Sequence, residues 1–70
     1  MTTSTYTVSG MTCEHCVAAV TEEVSRLPGV EAVDIELVAG GDSTLNITSS
    51  VPVADEAVRD AVDEAGYAVR

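Results

Sequence analysis

The chain has no lysine, phenylalanine or tryptophan, and it holds only two tyrosines, one histidine and two cysteines. Three arginines face twelve acids, for a formal charge of −9. With no basic patch to neutralise phosphates, nucleic-acid binding is excluded, and an anionic membrane surface repels the chain for the same reason. No apolar run approaches the ~20 residues of a membrane span, so no membrane insertion is expected. The opening MTTSTYTVSG carries neither a basic n-region nor an apolar h-region, and a cytoplasmic location is expected. Scarce aromatics leave Val, Ile, Leu and Ala to build the core, and an apolar share of 46% is enough to exclude disorder. Seventy residues make one domain, 1–70, near the lower limit of what a single core sustains. The acidity itself has two readings, solubility (including in salty surroundings) or a partner with a basic face.

Hydrophobic periodicity divides the chain into six elements. STYTVSG alternates, with Tyr6 and Val8 on one face, and reads as a strand interrupted at Gly10. From Cys16 the apolar positions Val17, Val20, Val24 and Leu27 recur at helical spacing until Pro28–Gly29. VEAVDIELV alternates again, placing Val33, Ile35 and Leu37 on one side; Gly40, Gly41 and Asp42 turn the chain, and STLNITSS returns with Leu45 and Ile47 inward. A second helix carries the stripe Ala54, Val58, Ala61, Val62 and Ala65, has acids in its first turn and stops at Gly66. YAVR supplies a short closing strand. The order βαββαβ predicts an α+β fold, a four-stranded antiparallel sheet with two helices on one face.

The soft-ligand inventory is concentrated in GMTCEHC, Gly10 to Cys16. Thr12 is placed as the helix N-cap and Cys16 in the first helical turn, so both sulfurs can converge on a helix N-terminus. Free N–H groups and the positive end of the helix dipole there favour thiolate, the metal-binding form. A Cys13–Cys16 disulfide would close a very small loop and is disfavoured in a reducing compartment. A C-x-x-C beside a βαβ pattern can be a dithiol oxidoreductase, but that fold needs a longer chain and more sheet. Structural zinc wants four protein ligands, and His15, between the cysteines on a helix, points away from their shared direction. A two-sulfur site for a soft ion remains, which among abundant metals suits Cu(I). No catalytic constellation accompanies it, so the chain is not expected to be an enzyme. Cys13, on an exposed loop, is expected to be the readier thiolate, and Cys16, partly covered, to stay closer to neutral until metal arrives.

GMTCEHC resembles the metal loop of heavy-metal-associated domains, whose motif is GMTCxxC. The resemblance extends to LPGV after the first helix and EAGY before the last strand, and so covers essentially the whole chain. It implies a ferredoxin-like sandwich binding Cu(I) through Cys13 and Cys16, and delivery of that ion to the metal-binding domains of a copper-transporting P-type ATPase by thiolate exchange. His15 and Tyr67 stand where free-standing bacterial copper chaperones commonly carry His and Tyr, which makes both candidates for the surroundings of the ion. The family's zinc, cadmium and mercury members share the fold, and an N-terminal domain of such an ATPase is an alternative to a free chaperone. A monomer is expected without metal, with a metal-bridged dimer as a further form. Met11 reads as a core plug beneath the loop rather than a ligand, His15 as a solvent-facing helix residue, and Glu14 as a favourable charge at the helix start. Tyr67 either opens a core strand or shields the ion with its ring, its hydroxyl near a thiolate.

Overall fold

Alternation becomes register in the computed structural model, which describes residues 1–70. Strand β1 (Thr2–Ser9) pairs antiparallel with β3 (Asp42–Ser49), Tyr6 opposite Leu45 and Val8 opposite Ser43. Val8, Leu45 and Ile47 are fully buried on one face. The other face carries Thr3, Thr5, Thr7, Thr44, Asn46 and Thr48, as expected for an antiparallel sheet covered on one side only. Strand β2 (Val30–Glu36) pairs with β3, bringing Val33 to Ile47 and Ile35 to Leu45. A bulge between Val30 and Ala32 adds one residue to β2. In a regular strand Val30 and Val33 would face opposite sides; the bulge lets both pack against the core. Strand β4 (Ala68–Val69) pairs only with Val8 and Ser9, completing the order β2-β3-β1-β4. The remaining edge of β1, from Thr2 to Tyr6, has no neighbouring strand.

Helix α1 (Glu14–Ser25) buries Cys16, Val20 and Val24, one residue per turn, and packs on β2 and on α2 (Asp55–Glu64). It ends three residues before Pro28, whose ring disfavours helical backbone at the residue preceding it. Helix α2 buries Val58, Ala61 and Val62. Ala54, expected in that stripe, is instead its exposed N-cap with extended backbone, because the helix begins only at Asp55. The core is aliphatic apart from Met11 and Cys16; neither tyrosine is fully buried.

The C-terminus of α2 matters for the site. Gly66 adopts φ +94°, its N–H donates to Asp63 O at 2.9 Å, and the Tyr67 N–H donates to Val62 O at 3.1 Å. These paired bonds form a Schellman stop, which turns the chain sharply and sets where Tyr67 begins. A side chain at Gly66 meets no steric obstacle but strains the left-handed backbone. Gly66→Ala should therefore cost about 1–2 kcal/mol in urea unfolding; an unchanged midpoint would show that the turn can relax without loss.

Candidate metal centre

Register brings the site to one end of the sheet, where Ser9 of β1 lies beside Asp42 of β3 and Ala68 of β4. From there Gly10 to Cys13 cross to α1. Met11 is fully buried, its side chain plugging the core below the loop as expected, so the thioether does not stand among the exposed loop atoms. Thr12, Cys13, Glu14 and His15 are exposed, while Cys16 is only 8% exposed. Cys16 belongs to the same helical stripe as Val20 and Val24, so the packing of α1 dictates where its sulfur points.

Both cysteines are free thiols, with Cys13 Sγ and Cys16 Sγ 3.7 Å apart. With metal–thiolate bonds of about 2.3 Å, the value for zinc, a linear S–metal–S unit spans about 4.6 Å. A rotation of the exposed Cys13 side chain is enough to supply the difference. No third His, Cys, Asp or Glu gathers with the two sulfurs into a larger ligand cluster. His15, on the same turn, is exposed, matching its reading as a solvent-facing residue.

The expected N-cap is displaced by one residue. Cys13, with φ −155° and ψ 176°, caps α1, and no side chain hydrogen-bonds to the helix start. Helix α1 opens at Glu14, so Thr12 lies one residue too early to cap it. The Thr12 hydroxyl lies 3.8 Å from Cys16 Sγ instead. The Cys13 carbonyl accepts from Cys16 N–H at 3.1 Å and Val17 N–H at 3.3 Å, closing the first turn.

This arrangement reverses one expectation about ionisation. Cys16, expected to remain near neutral, has its pKa lowered to about 6. The Thr12 backbone contributes most, then the Tyr67 hydroxyl, then the Cys13 backbone; burial opposes them, and the Thr12 hydroxyl assists. The physical reason is that the polar groups of the loop and of Tyr67 favour the Cys16 thiolate by more than burial disfavours it. Tyr67 shows the reciprocal effect. Its pKa is raised, first by its hydroxyl donating toward Cys16, then by burial and by the negative charge of both sulfurs. Its half-buried ring packs over the loop, Cδ1 lying 3.6 Å from where a side chain on Gly10 would begin. Tyr67 thus lies beside the loop and also packs against the core just before β4.

A family model for the heavy-metal-associated domain matches residues 5–68. The chain belongs to the heavy-metal-associated domain family. The copper chaperone CopZ of Bacillus subtilis (strain 168) is 41% identical over 69 residues, covering 99% of this chain and 97% of that protein. The COP-associated protein of Helicobacter felis is 35% identical over 60 residues, 86% of each chain. Among solved structures, a CopZ metallochaperone superposes with a TM-score of 0.85 at 28% identity, covering 99% of this chain and 100% of that one. The ferredoxin-like sandwich expected from the family resemblance is therefore the fold this heavy-metal-associated domain has.

Because folding lowers the Cys16 pKa, its ionisation favours the folded chain; that contribution is full above the ordinary value of 9.0 and disappears as pH falls through about 6. In the metal-free Cys13→Ser variant, alkylation of Cys16 should accordingly show its pH midpoint near 6. Tyr67→Phe should move that midpoint upward by removing one of the groups that lower it, and should leave the fold unchanged. A midpoint at the ordinary thiol value, or one indifferent to Tyr67, would contradict the arrangement described.

Proposed function

We propose that this protein is a copper metallochaperone of the cytoplasm that carries Cu(I) on Cys13 and Cys16. The observation that carries the reading is the asymmetry of the pair, an exposed sulfur 3.7 Å from one that is 8% exposed and anchored in the core. Soft thiolates select Cu(I), and two of them suffice for it. Cys16 supplies a thiolate already stabilised by the loop, and any proton on Cys13 is displaced as the metal binds. The kinship with proteins named copper chaperones supports copper as the cargo.

Transfer follows from the same asymmetry. A two-sulfur site leaves coordination positions open on the ion, on the solvent side where Cys13 lies. An incoming thiolate of the partner forms a third sulfur–copper bond there; the Cys13–copper bond then breaks, and the Cys16 bond breaks as a second partner thiolate arrives. The oxidation state does not change, and the ion is never released to water. The recipient is a paired-thiolate domain, assigned here to a copper-transporting P-type ATPase. No helix of this chain is long and apolar enough to cross a membrane; delivery proceeds by docking on the recipient's paired-thiolate domain. Tyr67 shields one side of the exchange site, which limits access by other thiols.

The test is an anaerobic titration of the reduced protein against a chromogenic Cu(I) chelator. One Cu(I) per chain should be retained, Cys13→Ser and Cys16→Ser should each lose it, and Zn²⁺ should bind far more weakly. Loading should also raise the thermal midpoint; free metal at a hundred times its dissociation constant stabilises by about 2.7 kcal/mol. Retention of Cu(I) by the double Ser variant would refute the ligand assignment. A further outcome concerns the dithiol alternative. Exchange with a small-molecule disulfide should stop at one equivalent, since the sulfur with the lowered pKa, that of Cys16, is only 8% exposed and poorly reached by an incoming disulfide; repeated turnover with a reductase system would favour a redox enzyme.

A further inference from the structure

The β2–β3 turn, Leu37 to Gly41, lies outside GMTCEHC, yet it touches that segment through one backbone bond. The Gly40 N–H donates to the Met11 carbonyl at 3.3 Å. Met11 is the last buried residue before the exposed Thr12 and Cys13, so this carbonyl marks the point from which the loop departs. The turn itself is held by an unusual core residue. Ser43 is fully buried, on the sheet face it shares with Val8, Leu45, Ile47 and Ser49. Its hydroxyl accepts the Val38 N–H at 2.9 Å and donates to the Val38 carbonyl at 3.5 Å. The Gly41 N–H closes the turn onto the same carbonyl at 3.0 Å. Gly40 has φ +75°, a conformation that L side chains rarely adopt, and in it the N–H is presented to Met11.

We propose that the β2–β3 turn is a positioning device for the cysteine loop, with Ser43 fixing the turn and the Gly40 N–H fixing Met11. The proposal rests on the assignment of Cys13 and Cys16 as the copper ligands. Its physical content is preorganisation. Only Thr12 and Cys13 separate Met11 from the helix, so the backbone carrying the Cys13 sulfur is constrained by α1 on one side and by the turn on the other. Holding Met11 keeps the sulfurs within reach of one ion before it arrives, so the ordering cost is not charged against binding. Without the tether the loop samples arrangements in which the sulfurs diverge, and copper must select among them. An alanine at 43 would suit the apolar face of the sheet as well; the hydroxyl there serves the turn.

The deciding experiment deletes the donor alone. A chain of this length is accessible to chemical synthesis, and an ester in place of the Ala39–Gly40 amide removes the Gly40 N–H while keeping every side chain. The metal-free ester protein should show altered amide shifts at Thr12 and Cys13 with those of Thr3 and Asn46, in the middle of the sheet, unchanged. Its Cu(I) affinity should fall roughly three- to tenfold, the equilibrium worth of one hydrogen bond. Ser43→Ala should reproduce both effects and speed hydrogen exchange at Gly40, and it serves as the independent measurement should the ester fail to fold. Unchanged affinity and unchanged Thr12 and Cys13 shifts in either folded variant would overturn the proposal. Failure of the ligand assignment is read separately, from Cu(I) retained by the double Ser variant with the turn intact.

Discussion

The packing of α1 against the sheet constrains everything else in this small domain. Val20 and Val24 are fully buried, and they fix the rotation of the helix about its own axis. Cys16 is one turn before Val20 on the same stripe, so the force that stabilises the fold also aims its sulfur. Rotating α1 enough to re-aim that sulfur would withdraw two valines from the core. A domain near the lower size limit for folding has little stability to give up, and the anchored sulfur is therefore as rigid as the core itself. Cys13, three residues earlier and outside the stripe, has no such constraint. A fixed sulfur beside a free one arises from nothing more than the phase of a helix relative to its cap.

The elements were legible because each is written in a local period. Alternation in STYTVSG and STLNITSS became β1 and β3 with Val8, Leu45 and Ile47 inward, and the helical stripe from Cys16 to Val24 appeared as read. The cysteine pair was legible because all its members lie within four consecutive positions. What escaped depended on contacts between distant segments or on a shift of one residue. Thr12 has the right chemistry for a cap, but its backbone lies outside the helix, and its hydroxyl lies near a sulfur instead. The bulge between Val30 and Ala32 contains no glycine or proline of its own, and Pro28–Gly29 just before it reads as the helix stop. The easier ionisation of Cys16 arises from backbone groups of Thr12 and Cys13 and from Tyr67; the sequence offers these groups, but giving burial the greater weight at Cys16 predicts the opposite direction.

Charge is distributed unevenly around the cysteine loop. The acidic residues sit mostly on the helices and on the polar face, where Arg26 pairs with Glu22 and the half-buried Glu23, and Arg70 with Asp42; pairs with so much solvent contact contribute little stability. The turn Leu37 to Gly41, beside the cysteine loop, carries no charge in a chain where 21% of residues do. Whatever approaches the sulfurs from that side therefore meets a neutral margin. The surrounding acidity acts at longer range, through steering that weakens with salt.

The brevity of β4 has a consequence of a different kind. Because it covers only Val8 and Ser9, the outer backbone of β1 from Thr2 to Tyr6 is an open template onto which another chain can add a strand. No lysine or proline guards that edge. What guards it is mutual repulsion between molecules that each carry −9. The colloidal stability of the protein is thus tied to its ionised carboxylates, and acidification toward the isoelectric point that its composition gives, near pH 4.1, removes the guard. In this domain the excess of acids protects the solution state of the molecule more than its folded shape.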